Sequence, residues 1–313
     1  MSDRWLMKFG YPEYERLRTV LTHRPGKELD LIGPKTYEKF LFDDAINPEK
    51  FRKDHDQFVQ ALRSEGVKVV LITELLHDRL ELLRETEGLP NLIYTRDTAT
   101  VTPRGYILSR MKNALRRNET AVVEAALRQL SIPPFVKVKA PATIEGGDLI
   151  FLDDETLLLG IGNRTNLKGL QQLAEIGKKS GMRSLIAVPL PSWVCHLDGT
   201  MMPIDCDLAL IHPRSLQTPA NLFEDGKTNK KVGLPRFLKT RGMNLIEVTD
   251  YERQRRATNV IPIGRRKAIA YDGNARVRRE LANNGVDLIE VDGSELVRGS
   301  GGPRCMTAAL LRE

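Results

Sequence analysis

The sequence predicts a single α/β domain, on two observations. A helical segment, a helix stop and an apolar strand recur as a unit five times along the 313 residues. Further short apolar runs fill the intervals, and no Pro/Gly/Ser-rich linker divides the chain, so residues 1–313 read as one domain. A composition of 41% hydrophobic and 28% charged residues is that of a globular protein with a sizeable core.

The first unit is "NPEKFRKDHDQFVQALRSEGVKVVLIT", beginning at Asn47. Phe51, His55, Phe58, Val59 and Leu62 fall at helical spacing on one face. Gly66 stops the helix, and "VKVVLIT" reads as a strand. The second unit, "NETAVVEAALRQLSIPPFVKVKA", ends its helix with Ser-Ile-Pro-Pro in place of glycine. The third, "NLKGLQQLAEIGKKSGMRSLIAVPL", stops at Gly181, the fourth, "LPRFLKTRGMNLIEVTD", at Gly242, and the fifth, "NARVRRELANNGVDLIEVDG", at Gly285. Between them "RTVLTHR", "TATVTP", "DLIFLD", "TLLLGIG", "LALIHP" and "KAIAYD" read as strands. Two architectures fit this repeat: five units closed in a ring, strands inside and helices outside, or one doubly wound sheet.

Several function classes are excluded. No apolar run approaches the roughly 20 residues needed to span a bilayer. The N-terminus carries charge from its third residue and has no apolar signal region, so a cytoplasmic location is expected, with no membrane partner. Three cysteines without a C-x-x-C pair make neither a disulfide framework nor a zinc site. The net charge is +7, carried partly by Lys227–Lys231, Arg253–Arg256 and Gly264–Lys267. These runs are short and scattered, with no aromatic residues interleaved for base stacking, so they read as solvated faces and not as a nucleic-acid surface.

The chemistry collects in polar stretches beside the strand candidates: "PNLIYTRDTA", "IEGGDLI", "GIGNRTN", "CHLDGT" and "RGSGGPRCMT". Loops at one rim of an α/β fold converge. In the last stretch Gly299, Gly301 and Gly302 allow close approach of backbone to a ligand, and Arg298 and Arg304 favour a thiolate at Cys305, the nucleophilic form. Cys195 and Cys206 have no such surroundings and read as structural. A cysteine nucleophile needs a proton carrier. His23, His55, His77 and His212 read as core or surface residues. His196 precedes Asp198 by two positions, and in an extended segment the two side chains point the same way. Glu145 and Asp148 flank Gly146 and Gly147, either as a turn or as carboxylates that orient a histidine.

In this order, "PNLIYTRDTA", "EGGD", "GIGNRTN", "HLDGTMMPIDCD" and "GGPRCMT" resemble the arginine deiminase family of guanidine-modifying, amidinotransferase-like enzymes. "LRTVLTHRPGKEL" and "LFDDAINPEKFRKDHDQFVQALRSEGVKV" extend the resemblance over nearly the whole chain. It implies a five-bladed, pseudo-symmetric α/β propeller of ββαβ-type units. It implies Cys305 as nucleophile, His196 as general acid/base, and Glu145 as the carboxylate that holds the histidine. Asp97 and Asp198 would grip the guanidinium, Arg116 and Arg164 the substrate's carboxylate. Asn91 would line that same end, with Tyr94 as an aromatic beside the substrate. The implied reaction is hydrolysis of L-arginine to L-citrulline and ammonia through an S-alkylthiouronium, with no metal or organic cofactor. The alternatives are transfer of the amidino group to an amine, or deimination of another arginine-like guanidine. The small guanidine is the expected partner, and the oligomeric state is open. The chain departs from the family twice: it lacks the helical insertion that many members carry before "TRD", and Ser300 stands where some place an arginine near the substrate carboxylate.

Overall fold

The computed structural model describes residues 10–177, 182–224 and 227–313. Their strands form five separate sheets, each built on one plan: an antiparallel pair, a helix, and a third strand parallel to the second. Ala99–Thr102 pairs antiparallel with Gly105–Leu108, the helix Glu119–Gln129 follows, and Pro134–Lys137 returns parallel to Gly105–Leu108. The plan repeats through Leu149–Phe151, Thr156–Ile161, the helix Leu167–Gly177 and Ser184–Pro189. It repeats again through Met201–Asp205, Leu208–Ile211, the helix Leu234–Thr240 and Asn244–Glu247. A further copy uses Ile261–Gly264, Lys267–Tyr271, the helix Ala275–Asn283 and Asp287–Val291. The remaining unit joins the two ends of the chain. Ala308–Arg312 pairs antiparallel with Leu17–Thr22, the helix Pro48–Ser64 crosses over, and Lys68–Leu71 lies parallel to Leu17–Thr22. A parallel return needs such a crossover, which is why one helix accompanies each sheet. A hairpin of Ala220–Glu224 and Lys227–Val232 extends one sheet to five strands. The continuous doubly wound sheet that the repeat also allowed is not formed among the described residues.

The helices form where the periodicity placed them. Asn47 caps Pro48–Ser64 by accepting from the backbone N–H groups of Glu49 and Lys50 at 3.1 and 3.0 Å. That helix buries Phe51, His55, Phe58, Val59 and Leu62, the face read from the sequence. Gly66, Gly242 and Gly285 adopt φ of 76°, 83° and 71°, the left-handed conformation that ends a helix with least strain in glycine. Ser131 takes the same place at φ 57° in the unit without a terminal glycine. Gly181 lies outside the described residues. The apolar core runs from sheet to sheet, so that Ile150, Ile186, Met202, Leu210, Ala268 and Leu281 belong to one cluster.

Between Lys68–Leu71 and the "TRD" stretch the chain forms the short helices Ile72–Leu75 and Leu80–Thr86 and the 3-10 turn Pro90–Ile93. No helix of the described residues is long and apolar enough to cross a membrane. In the basic run at 264–267, Arg265 pairs with Glu15, Arg266 with Asp205 and Asp207, and Lys267 with Glu65 and Asp287. These charges are locally compensated.

Candidate active site

Each unit contributes a polar turn just before its first strand. These are Thr95–Thr98, Gly146–Asp148, Leu197–Gly199, the segment at 258–259 and the turn around Cys305. Because the units share one plan, the turns converge. Asp97, His196, Asp198, Asn259 and Cys305 line one pocket, joined by Asn91 and Tyr94. Arg116 and Arg164 enter from two connections between second strand and helix. Glu145 stands behind the wall and reaches the pocket through His196. All nine residues singled out in the sequence are therefore brought together.

His196 is held from both sides of its ring. Nε2 lies 2.8 Å from Glu145 Oε2, while Nδ1 lies 3.7 Å from Asp97 Oδ1 and 3.6 Å from the Cys195 sulfur. Burial alone would push the imidazole towards neutrality. Cys195, Asp97 and Glu145 outweigh it and hold the ring well above its ordinary pKa. Burial likewise opposes ionisation of Glu145, yet His196, then Arg164 and Arg116, hold its carboxyl down at about 2. The imidazolium and the carboxylate stabilise one another. Gly147 makes this approach feasible, since a Cβ there would lie 2.7 Å from His196 Cγ. Asp148 fixes the next turn by accepting from the Leu197 N–H at 3.0 Å and from the Thr165 hydroxyl at 2.6 Å.

Asp198 does not reach the pocket as part of an extended segment. Leu197–Gly199 is a 3-10 turn, and the two-residue alternation does not apply there. Asp198 arrives because Arg304 binds its Oδ2 at 2.9 Å. This overturns the role expected of Arg304. It is fully buried, spans Glu13 and Asp198, and donates to the Leu149 carbonyl. Its charge is spent on carboxylates. Arg298 likewise pairs with Asp44 at the surface. Cys305 lies buried with its sulfur 3.6 Å from Asp198 Oδ2. Burial first, then Asp198 and Asp97, push its thiol well up. These surroundings favour the thiol form of Cys305 over the thiolate.

The two carboxylates are unequally occupied. Asp97 Oδ2 accepts from Arg116 Nη1 at 2.7 Å, whereas Oδ1 is buried without a hydrogen-bond partner among the described residues. An orphaned buried carboxylate oxygen is costly unless a donor arrives. Arg116 is less available than the sequence implied. Its Nε and Nη2 bind Glu119 and its Nη2 also donates to the Asn91 carbonyl, so what it chiefly holds is Asp97. Arg164 makes one looser contact, 3.3 Å to Glu145. Asn91 donates to the Phe40 carbonyl at 2.8 Å, and the Tyr94 hydroxyl to the Gly299 carbonyl. Gly301 lies against the Tyr94 ring, where a Cβ would sit 2.2 Å from Cε1. Its role is contact.

Several lining residues escaped sequence reading. Arg253 and Arg256, read as solvated charges, are in the pocket wall, as is Cys195, read as structural. Asn259 Oδ1 accepts from the Cys305 N–H at 3.3 Å. The signal was positional, since 258–259 directly precedes a strand as the other turns do. Asp97, Glu145 and His196 bring potential metal-binding atoms within 4.8 Å of one another. The two acids address different ring nitrogens, however, Glu145 by a hydrogen bond and Asp97 by an ion pair at 3.7 Å, which does not make one coordination sphere.

The family model for arginine deiminase matches residues 38–88 and 81–312. The chain belongs to the arginine deiminase family. Arginine deiminases of Staphylococcus haemolyticus and Listeria monocytogenes are each 26% identical to it, over 399 and 397 aligned residues, covering 96% of this chain and 97% of the relative. As a member of the arginine deiminase family it is a hydrolase of guanidine C–N bonds. Solved structures with the same mixed α/β fold include two of dimethylarginine dimethylaminohydrolase. One is an adduct with 4-chloro-2-hydroxymethylpyridine, at TM-score 0.70 and 24% identity, covering 95% of this chain and 100% of the other. The other is a Pseudomonas aeruginosa variant with citrulline, at TM-score 0.72 and 23%, with the same coverage. The N-terminal domain of ArgZ, a cyanobacterial arginine dihydrolase bound to product, matches at TM-score 0.74 and 17%, over 95% and 98% of the two chains.

Proposed function

We propose that this enzyme converts L-arginine to L-citrulline and ammonia, using Cys305 as nucleophile, and that its five units are blades of a pseudo-symmetric propeller around the site. The observation that carries the reading is the orphaned Oδ1 of Asp97 in a pocket shared with Cys305, Asp198 and His196. A guanidinium offers forked N–H donors and a delocalised positive charge. Asp97 and Asp198 hold those donors and set the central carbon before the sulfur. The incoming cation also offsets the two negative charges that, with burial, keep Cys305 protonated. Substrate binding therefore releases the thiol proton to solvent.

The thiolate adds to the guanidinium carbon, forming a C–S bond. His196, an imidazolium at rest, protonates a terminal nitrogen, the C–N bond breaks, and ammonia leaves with the S-alkylthiouronium remaining. Neutral His196 then takes a proton from water as its oxygen adds to the same carbon. Collapse breaks the C–S bond, returns the electron pair to sulfur and, after loss of a proton to solvent, gives the ureido product. Glu145 is a positioning residue that keeps the ring oriented and charged. Arg164, with Asn91 and the remaining Nη1 hydrogen of Arg116, meets the substrate's carboxylate, and Tyr94 flanks its chain.

The test is citrulline and ammonia release from L-arginine by wild type and Cys305→Ala. Turnover by the wild type and none by the variant is expected. Equal activity would end the proposed role of Cys305.

A further inference from the structure

Arg253 is the arginine of the pocket wall whose guanidinium, among the described residues, makes no hydrogen bond and no ion pair. Arg116 is bound to Asp97 and Glu119, Arg164 to Glu145, and Arg256 to Asp43. Arg253 lies over the Trp193 ring at 4.8 Å, and its Nε is buried without a partner. The carboxylates nearby are occupied. Asp250 is taken by Arg214 at 2.9 Å and faces His212 at 3.1 Å, while Asp43 accepts from both Arg256 and Ser300. A half-buried guanidinium with an unmet donor, facing a ligand pocket, stands where a ligand's anion would satisfy it. Its seat is tied to the far wall of the same mouth. The Ser192 carbonyl, next to Trp193, accepts from Asn163, the neighbour of Arg164.

We propose that Arg253, seated on Trp193, grips the substrate's carboxylate opposite Arg164 and selects amino-acid guanidines over decarboxylated ones. This deepens the deiminase reading above and rests on it. Arg116 cannot carry that contact alone, because its Nε, Nη1 and Nη2 already serve Asp97, Glu119 and Asn91. Ser300 offers only a hydroxyl that is itself donated to Asp43. Arg256, three residues along the same wall, adds positive potential while holding Asp43.

The experiment measures kcat and KM for L-arginine and for agmatine, which lacks the carboxylate, in wild type, Arg253→Gln, Arg253→Lys and Arg214→Gln. The last removes the other arginine on Trp193, 5.5 Å from its ring and outside the pocket lining. The wild type should prefer L-arginine. Arg253→Gln should raise KM for L-arginine about 10–150-fold, the range for a hydrogen bond to a charged group, with a much smaller change in kcat. Its kcat/KM for agmatine should hold, Arg253→Lys should recover part of the loss, and Arg214→Gln should keep the wild-type preference. A folded Arg253→Gln with the wild-type preference overturns the assignment while leaving the deiminase reading intact. A wild type that does not distinguish the two substrates overturns it without any variant. A wild type that turns over no guanidine overturns the parent reading first, and the assignment with it.

Discussion

Glu145→Gln tests how the site keeps its acid charged. Glu145 Oε2 sits 2.8 Å from His196 Nε2, and Oε1 accepts from the Lys112 N–H at 2.9 Å. Glutamine can satisfy only one of these neighbours. With its oxygen on Lys112, its NH2 faces His196 and requires a lone pair on Nε2, which the imidazolium lacks. With the amide turned round, NH2 confronts the Lys112 N–H. In either orientation the negative charge is gone. Two opposite charges about 4 Å apart attract by about 4 kcal/mol at an effective dielectric near 20. Loss of that attraction sets an upper bound of about 3 pH units, and Asp97, 3.7 Å from Nδ1, remains to hold part of the ring's charge. The alkaline limb of the kcat profile, which reports the charged acid, should then move about 1–2 pH units towards acid. On that limb, where the wild-type ring is still charged and the variant's is not, turnover should fall about 10–10²-fold, the factor set by the shift. The assay is steady-state citrulline release from pH 5 to 10 for both proteins, roughly the range in which histidine and cysteine titrate. A variant with the wild-type profile, and kcat within about threefold of wild type, would refute the role given to Glu145.

Two further outcomes follow from burial. Gly301→Ala forces a Cβ to 2.2 Å from Tyr94 Cε1. Overpacking of this kind should cost about 1–3 kcal/mol in denaturant unfolding and lower kcat, and an unchanged protein would show that the ring yields freely. Burial pushes Asp148 up to about 7 from an ordinary 3.8. The folded state then binds the proton more tightly than the unfolded chain, so stability is highest at the acid end of that window and is lost as pH rises through about 7. Asp148→Asn should flatten this dependence in thermal unfolding, and identical slopes in the two proteins would contradict the cause.

The sequence carried the local features, because these rest on spacing. The apolar face of Pro48–Ser64, the stops at Gly66, Gly242 and Gly285, and the strands between them are all set by neighbours in the chain. The nine candidate site residues were legible as a set of short stretches, most of which the fold delivers just before a unit's first strand, with Arg116 and Arg164 coming from the connection after its second. What escaped was set by long-range pairing. Arg304 looked like an activator of Cys305 because the two are adjacent, yet Glu13, 291 positions away, takes its charge. Arg253 and Arg256 looked like surface charge because a basic run gives no hint of which side it shows. Asp198 was placed in the site by an alternation it does not follow, since a 3-10 turn and Arg304 bring it there.

The measurement closest to the central claim is rapid acid quench of the wild-type enzyme turning over L-arginine, followed by peptide mass spectrometry. The Cys305 peptide should carry the mass of arginine less ammonia during turnover and lose it when substrate is exhausted. Citrulline formed while Cys305 stays unmodified throughout the quench series, or with the adduct on Cys195 instead, would contradict the account.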